Sequence, residues 1–194
     1  MQKIFLLIAC LCTFYISHAG KKNPQKVSLQ KSIHDSWINS FLQFQDAVNK
    51  SDKAKVKQFI DFPIMNENNE IWNLVYDNDN KRISKLPSGP QPFTEADFDT
   101  YFNKIFTGRF INTILKINAR ELYDKGEYKT QEFKDGTITY KMFATFDKES
   151  QTLTLNLASQ TQDRSEDNGM FSIIYQFDII NGNQVKFRQV RIAG

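Results

Sequence analysis

The sequence has few of the side chains that act as nucleophiles, soft metal ligands or proton relays. Its 194 residues include two cysteines and two histidines, and Cys10, Cys12 and His18 all lie near the N-terminus. If that segment is cleaved off, no thiol nucleophile, disulfide or thiolate ligand remains. His34 would then be the single histidine left, so a two-histidine metal site is excluded. We interpret it as a half-exposed helix residue, and a general base in a pocket is the alternative.

The sequence also lacks an apolar run long enough to cross a bilayer. The apolar run Ile4–Ile16 is well short of the roughly 20 residues that a spanning helix needs. Lys3 precedes this run and Ser17-His18-Ala19 follows it, which is the pattern of a secretory signal. We therefore predict a cleaved signal peptide over residues 1–19, a flexible tether over 20–27, and export to the periplasm or the medium. Acylation of Cys10 as a lipoprotein is the minor alternative.

Neither sign of charge dominates, and the common cofactor motifs are absent. Lys and Arg number 25 against 22 Asp and Glu, which gives no electrostatic basis for nucleic-acid binding. No glycine-rich nucleotide loop, Walker A motif or serine-hydrolase motif occurs. The segment from Asp77 begins like a calcium loop, but Arg82 and Ser88 stand where that loop needs Gly and Glu. We predict no metal and no cofactor.

Helical periodicity fills the first half of the chain after residue 27. Apolar residues recur every three or four positions from Ser28 to about Asn49, which predicts one amphipathic helix. Ser51 resembles the N-cap of a short second helix that ends before Pro63. Thr94 resembles the N-cap of a third helix with a capping box, and Gly108 resembles its stop signal.

The second half alternates with the period of strands. We predict four antiparallel strands, which are Thr137–Phe146, Thr152–Leu157, Phe171–Ile179 and Val185–Ile192. Turns at 147–150, 163–169 and 181–182 join them, and a further hairpin turn at 135–136 precedes the first. An earlier alternation over Ile71–Tyr76 predicts one more strand, and 77–92 reads as a long surface loop. The segment Phe110–Ile117 fits either a strand or the end of a helix. Helices first and strands last predict one α+β domain over residues 28–194.

Particular segments resemble a known superfamily. In Val56–Ile64 a helix runs into Phe-Pro and an aliphatic residue, Phe93-Thr94 opens the next helix, and Ile105-Phe106-Thr107 ends it. This order is similar to the NTF2-like superfamily, including small exported bacterial proteins, in which helices pack into a strongly bent antiparallel sheet to make a cone. Cystatin-like proteins share the helix-on-sheet plan and are the alternative fold.

The resemblance implies a cone cavity, which would be lined by aromatic side chains. We select Trp37, Tyr101, Tyr140 and Tyr175 as candidate ligand-binding residues, because a buried tyrosine hydroxyl needs a partner. Hydrophobic core is the competing interpretation of the same residues. The predicted function is an exported non-catalytic module that binds a small apolar ligand or a protein partner, and homodimerisation is compatible with it. The alternative is a dehydratase or isomerase that uses a carboxylate or His34.

Overall fold

A computed structural model describes residues 36–161 and 170–194. Over these ranges seven helices precede a six-stranded antiparallel sheet, so the predicted α+β class is confirmed. The helices are α1 (Ile38–Asn49), α2 (Lys53–Lys57), α3 (Glu70–Val75), α4 (Asn80–Ile83), α5 (Glu95–Ile105), α6 (Gly108–Ile114) and α7 (Ala119–Lys125). The strands are β1 (Glu127–Lys129), β2 (Phe133–Asp135), β3 (Ile138–Asp147), β4 (Thr152–Thr161), β5 (Met170–Ile180) and β6 (Gln184–Ala193).

Two predicted helix boundaries are wrong, and in both cases the neighbouring side chain makes the cap. Ser51 takes a left-handed backbone conformation (φ 51°). The N-cap of α2 is instead Asp52, whose side chain accepts the N–H of Lys55 at 3.1 Å. Gly108 begins a helix instead of stopping one, because the Thr107 hydroxyl caps α6.

The predicted strand at Ile71–Tyr76 is also wrong, since this segment forms helix α3. The buried positions Ile71, Trp72, Leu74 and Val75 have the i, i+1, i+3, i+4 spacing of one helix face, which strand alternation does not produce. The start of the helix is fixed by Asn66, whose side-chain oxygen accepts the N–H of Glu70 at 2.9 Å. The predicted loop at 77–92 contains the single turn of α4.

Helix α7 was not predicted, although its signals are in the sequence. The Asn118 side chain accepts the N–H of Glu121 at 3.0 Å, and Glu121 follows three residues after Asn118, which is a standard N-cap spacing. Gly126 ends the helix with φ 80°, a conformation that favours glycine. The segment Phe110–Ile117 is helical up to Ile114.

The four long strands pair in sequence order, as predicted, and β1 and β2 both pair with β3 at the edge. Thr130 bridges the gap between β1 and β2: its N–H donates to Met142 O, and its hydroxyl accepts the Met142 N–H, both at 3.0 Å. The turn after β5 has three residues, 181–183, and the turn after β2 is 136–137. The predicted turn at 163–169 lies outside the described residues.

One face of the sheet packs against the helices to form the core. Phe110 of α6 contacts Tyr175 of β5 with ring centroids 4.3 Å apart, and Phe44 of α1 contacts Phe177 at 5.2 Å. The side chains of Tyr175 and Phe177 are completely buried. We call this helix-covered side the inner face. No helix within residues 36–161 and 170–194 is long and apolar enough to span a membrane.

Candidate functional site

The inner face opens to solvent toward one end of the sheet. Along β5 the exposed fraction rises from 0% at Tyr175 to 9% at Ile173 and 36% at Phe171. All three side chains are on the inner face, so the change reflects the end of the helical cover and not a change of face. The apolar core surface is therefore accessible at this end.

The strand register determines which inner-face residues meet there. Tyr140, Ser159 and Phe171 lie side by side on β3, β4 and β5, and Leu157 and Ile173 pair in the row below. The outer row thus mixes two aromatic rings with a hydroxyl, and the row beneath it is apolar. This arrangement forms a floor that is apolar in depth and polar at the rim.

Two further elements enclose this floor to make a cleft of about 630 Å³. One wall is the start of α6, with Thr107, Arg109 and Asn112, and the opposite wall is the β2–β3 hairpin, with Lys134 and Asp135. The remaining lining comes from the strands and from the first residue of α6: Gly108, Ile138, Tyr140, Leu157, Ser159, Thr161, Phe171 and Ile173. We call this space the hairpin cleft.

A second cleft of about 720 Å³ adjoins the first and shares Thr107, Phe171 and Ile173 with it. It extends toward α3 and α5, where Lys104 pairs with Asp77. Phe171 therefore lies between two clefts that open along the same edge of the sheet.

An ion pair joins the two walls of the hairpin cleft. Arg109 Nε donates to Asp135 Oδ2 at 2.9 Å, and Arg109 Nη2 lies 2.9 Å from the same oxygen. The guanidinium lies 6.0 Å from the centroid of the Tyr140 ring, which in turn stacks on Phe133 at 5.6 Å. The pair links the hairpin to α6 and places both charges beside an aromatic floor.

Of the four aromatic residues selected from the sequence, Tyr140 lies on the hairpin cleft, and Trp37 and Tyr175 lie in the packed core. Trp37 contacts Phe41 and Phe146 with centroids 5.8 and 5.0 Å apart. The Tyr175 hydroxyl donates to Ile105 O at 2.8 Å, and burial raises the pKa of this hydroxyl. The core interpretation therefore describes both residues.

Tyr101 belongs to a separate aromatic cluster that lies between α3 and α5. Its ring is 6.0 Å from Tyr76 and 6.3 Å from Trp72, and Arg82 Nη2 donates to its hydroxyl at 3.3 Å. Burial, and secondarily the neighbouring Tyr101, raise the pKa of Tyr76. The guanidinium of Arg82 lies over the Tyr76 ring, 4.0 Å from its centroid.

Arg109, Lys134 and Asp135 were not predicted as site residues. The sequence did predict a turn beside Asp135, but nothing local indicates that this turn faces the start of α6. Cys10, Cys12 and His34 lie outside the described residues. No group of three or more metal-binding side chains occurs within 36–161 and 170–194.

Comparison of the chain with protein-family models, with curated proteins and with solved structures found no match. Function is therefore inferred from the clefts themselves.

Proposed function

We propose that this protein is an exported, non-catalytic module that binds a small amphipathic ligand in the hairpin cleft. The rise in exposure along the inner face of β5, from Tyr175 to Phe171, carries the proposal. An apolar surface that is continuous with the core and open to solvent gains free energy when a ligand covers it. We also propose membership of the NTF2-like superfamily, supported by the order of helices and strands and by a ligand space on the helix-covered face.

The carboxylates near Tyr140 and Tyr76 are already paired or hydrogen-bonded, which favours binding over turnover. A dehydratase or isomerase needs a base in a dry pocket beside a group that stabilises an oxyanion. Asp135 is 58% exposed and paired with Arg109. Asp97, whose charge contributes to the raised pKa of Tyr76, accepts the N–H and the hydroxyl of Thr94 at 2.9 and 2.6 Å. Its carboxylate is therefore already engaged in the capping box of α5.

A neutral fluorescent probe, N-phenyl-1-naphthylamine, tests the proposed function. Phe171→Ser removes the exposed ring of the floor, and Leu115→Ser is the matched control, because Leu115 is a 41% exposed apolar residue on no described cleft. We expect saturable binding that Phe171→Ser weakens at least about fivefold, since part of a buried aromatic contact is lost.

Leu115→Ser should leave the affinity within about twofold, because exposed substitutions outside a site have small effects. Absence of saturable binding, or equal weakening by both substitutions, would contradict the proposed function.

A further inference from the structure

We infer that the ligand of the hairpin cleft carries one acidic group, which binds Arg109, and an apolar body, which covers the strand floor. This inference rests on the proposed function and specifies the chemical class of the ligand. The evidence for it is the charge at the walls of the cleft, whereas the proposed function depends on the exposed apolar floor.

Arg109 is the described cation whose side chain faces the strand floor. Lys134 also lines the cleft, but its neighbour Asp135 on β2 faces the floor, so the Lys134 side chain is on the other face of the sheet. Arg109 pairs with Asp135, and in the described part of the adjoining cleft Lys104 pairs with Asp77. The two clefts differ in the type of cation, because a guanidinium offers five donors in a fixed plane and an ammonium only three. An acidic group is therefore favoured at Arg109.

The geometry of the existing ion pair leaves Arg109 able to bind a second acceptor. Both of its contacts with Asp135 go to one oxygen, Oδ2, so the pair is not the parallel two-oxygen fork that best matches a guanidinium to a carboxylate. A guanidinium has five N–H donors in a plane. Asp135 fixes the orientation of Arg109, and the remaining donors are left for a ligand.

The apolar body of the ligand follows from what lies beside Arg109. Ile138, Leu157 and Ile173 line the same cleft and lead into the core, and Phe171 forms its exposed edge. A single guanidinium is too little for a polyanion, whose binding depends on many neutralised charges. The cleft therefore fits a single acidic group joined to a compact apolar body.

A matched pair of probes separates the acidic group from the apolar body. 1-Anilinonaphthalene-8-sulfonate has the skeleton of N-phenyl-1-naphthylamine with one added sulfonate, so the difference in their affinities reports the contribution of the anion. We expect the sulfonate probe to bind at least about fivefold more tightly at low salt, and added salt to reduce this preference.

Arg109→Gln is the test variant and Arg120→Gln is its control. Both arginines use Nε to contact an aspartate at 2.9 Å, and their side chains are 37% and 40% exposed, but Arg120 lies on α7 away from the cleft. Arg109→Gln should abolish the preference for the sulfonate probe, measured as the ratio of the two probes' affinities in the same variant, so that a general change of the cleft affects both probes alike. Arg120→Gln should preserve the preference, and Arg109→Lys should retain part of it.

Each outcome supports or overturns the inference. If the neutral probe binds and responds to Phe171→Ser, but the sulfonate brings no gain, the acidic ligand is refuted and the proposed function stands. If the sulfonate probe is favoured equally by the parent protein, Arg109→Gln and Arg120→Gln, the anion binds elsewhere and the inference fails. If neither probe binds, both the inference and the proposed function fail.

Discussion

Substitution of Tyr175 by Phe distinguishes a core residue from a ligand-binding residue. The hydroxyl donates to the carbonyl of Ile105, the last residue of α5, in a site with no exposed surface. Tyr175→Phe removes this donor and leaves the buried carbonyl without it, while the ring keeps its contact with Phe110. The substitution therefore removes one hydrogen bond and little packing.

The expected cost follows from that single bond. Leaving a buried carbonyl without its donor costs about 1–3 kcal/mol of unfolding free energy. For a chain of this size, 1 kcal/mol lowers Tm by about 2–4 °C. We expect Tyr175→Phe to lower the free energy of unfolding in urea by this amount, and Tyr128→Phe, on the partly exposed strand β1, to change it by less than about 0.5 kcal/mol.

The pH dependence of the same pair gives an independent check. Burial raises the pKa of Tyr175 above the ordinary value of 10.0, so the folded state keeps the hydroxyl neutral. Above pH 10 the unfolded chain releases that proton while the folded chain does not, and the parent protein loses stability. The stability advantage of the parent protein over Tyr175→Phe should be constant below pH 10 and shrink above it, by up to about 1.4 kcal/mol per pH unit.

Binding of N-phenyl-1-naphthylamine completes the assay, and it should differ by less than about twofold between the parent protein and Tyr175→Phe. Unchanged stability together with weaker binding would refute the core assignment and place the hydroxyl in the ligand site. A stability difference that stays constant up to pH 12 would refute the assignment of a buried, neutral tyrosine.

Substitutions at three further positions test other contacts in the structure. Thr130→Val removes the acceptor of the Met142 N–H and should cost about 1–3 kcal/mol in urea unfolding, whereas Thr130→Ser keeps the hydroxyl and should cost less; equal costs would show that the hydroxyl is not needed. Thr94→Ala should cost about 1 kcal/mol by the loss of the α5 cap, measured by thermal unfolding, and no loss would contradict the capping box. Asp135→Asn should tighten binding of the sulfonate probe about twofold to fivefold, since it removes the negative charge that repels the sulfonate and keeps an oxygen that accepts from Arg109; unchanged or weaker binding would contradict a sulfonate bound at Arg109.

The sequence predicted the sheet well because each long strand has one apolar face and a marked turn beside it. Tyr140 and Leu155 alternate with polar neighbours, and Gly136 provides the positive φ of 61° that the β2–β3 turn requires. The capping box of α5 was predicted for a similar reason, since Thr94 and Asp97 are three residues apart and need no distant partner.

The errors arose where a local pattern fits two structures. Trp72, Leu74 and Tyr76 alternate like a strand, but Ile71 and Val75 bury the opposite positions, and a side chain from Asn66 starts a helix there. The hairpin cleft could not be predicted at all. Arg109 and Asp135 are separated by 26 residues and meet only because β2 folds back along β3 beside the start of α6.

The central claim is that the open end of the inner face binds the ligand through Arg109 and Phe171. Titration of the isotope-labelled protein with 1-anilinonaphthalene-8-sulfonate, followed by backbone amide chemical shifts, tests it most directly. The account predicts that the largest shifts fall on Arg109, Phe171 and Ile173. It also predicts that Arg109→Gln weakens the affinity read from the Phe171 and Ile173 shifts at least about fivefold, to that of the neutral probe. Shifts concentrated around Leu42 on α1, or on outward-facing strand residues such as Ile174, would contradict it.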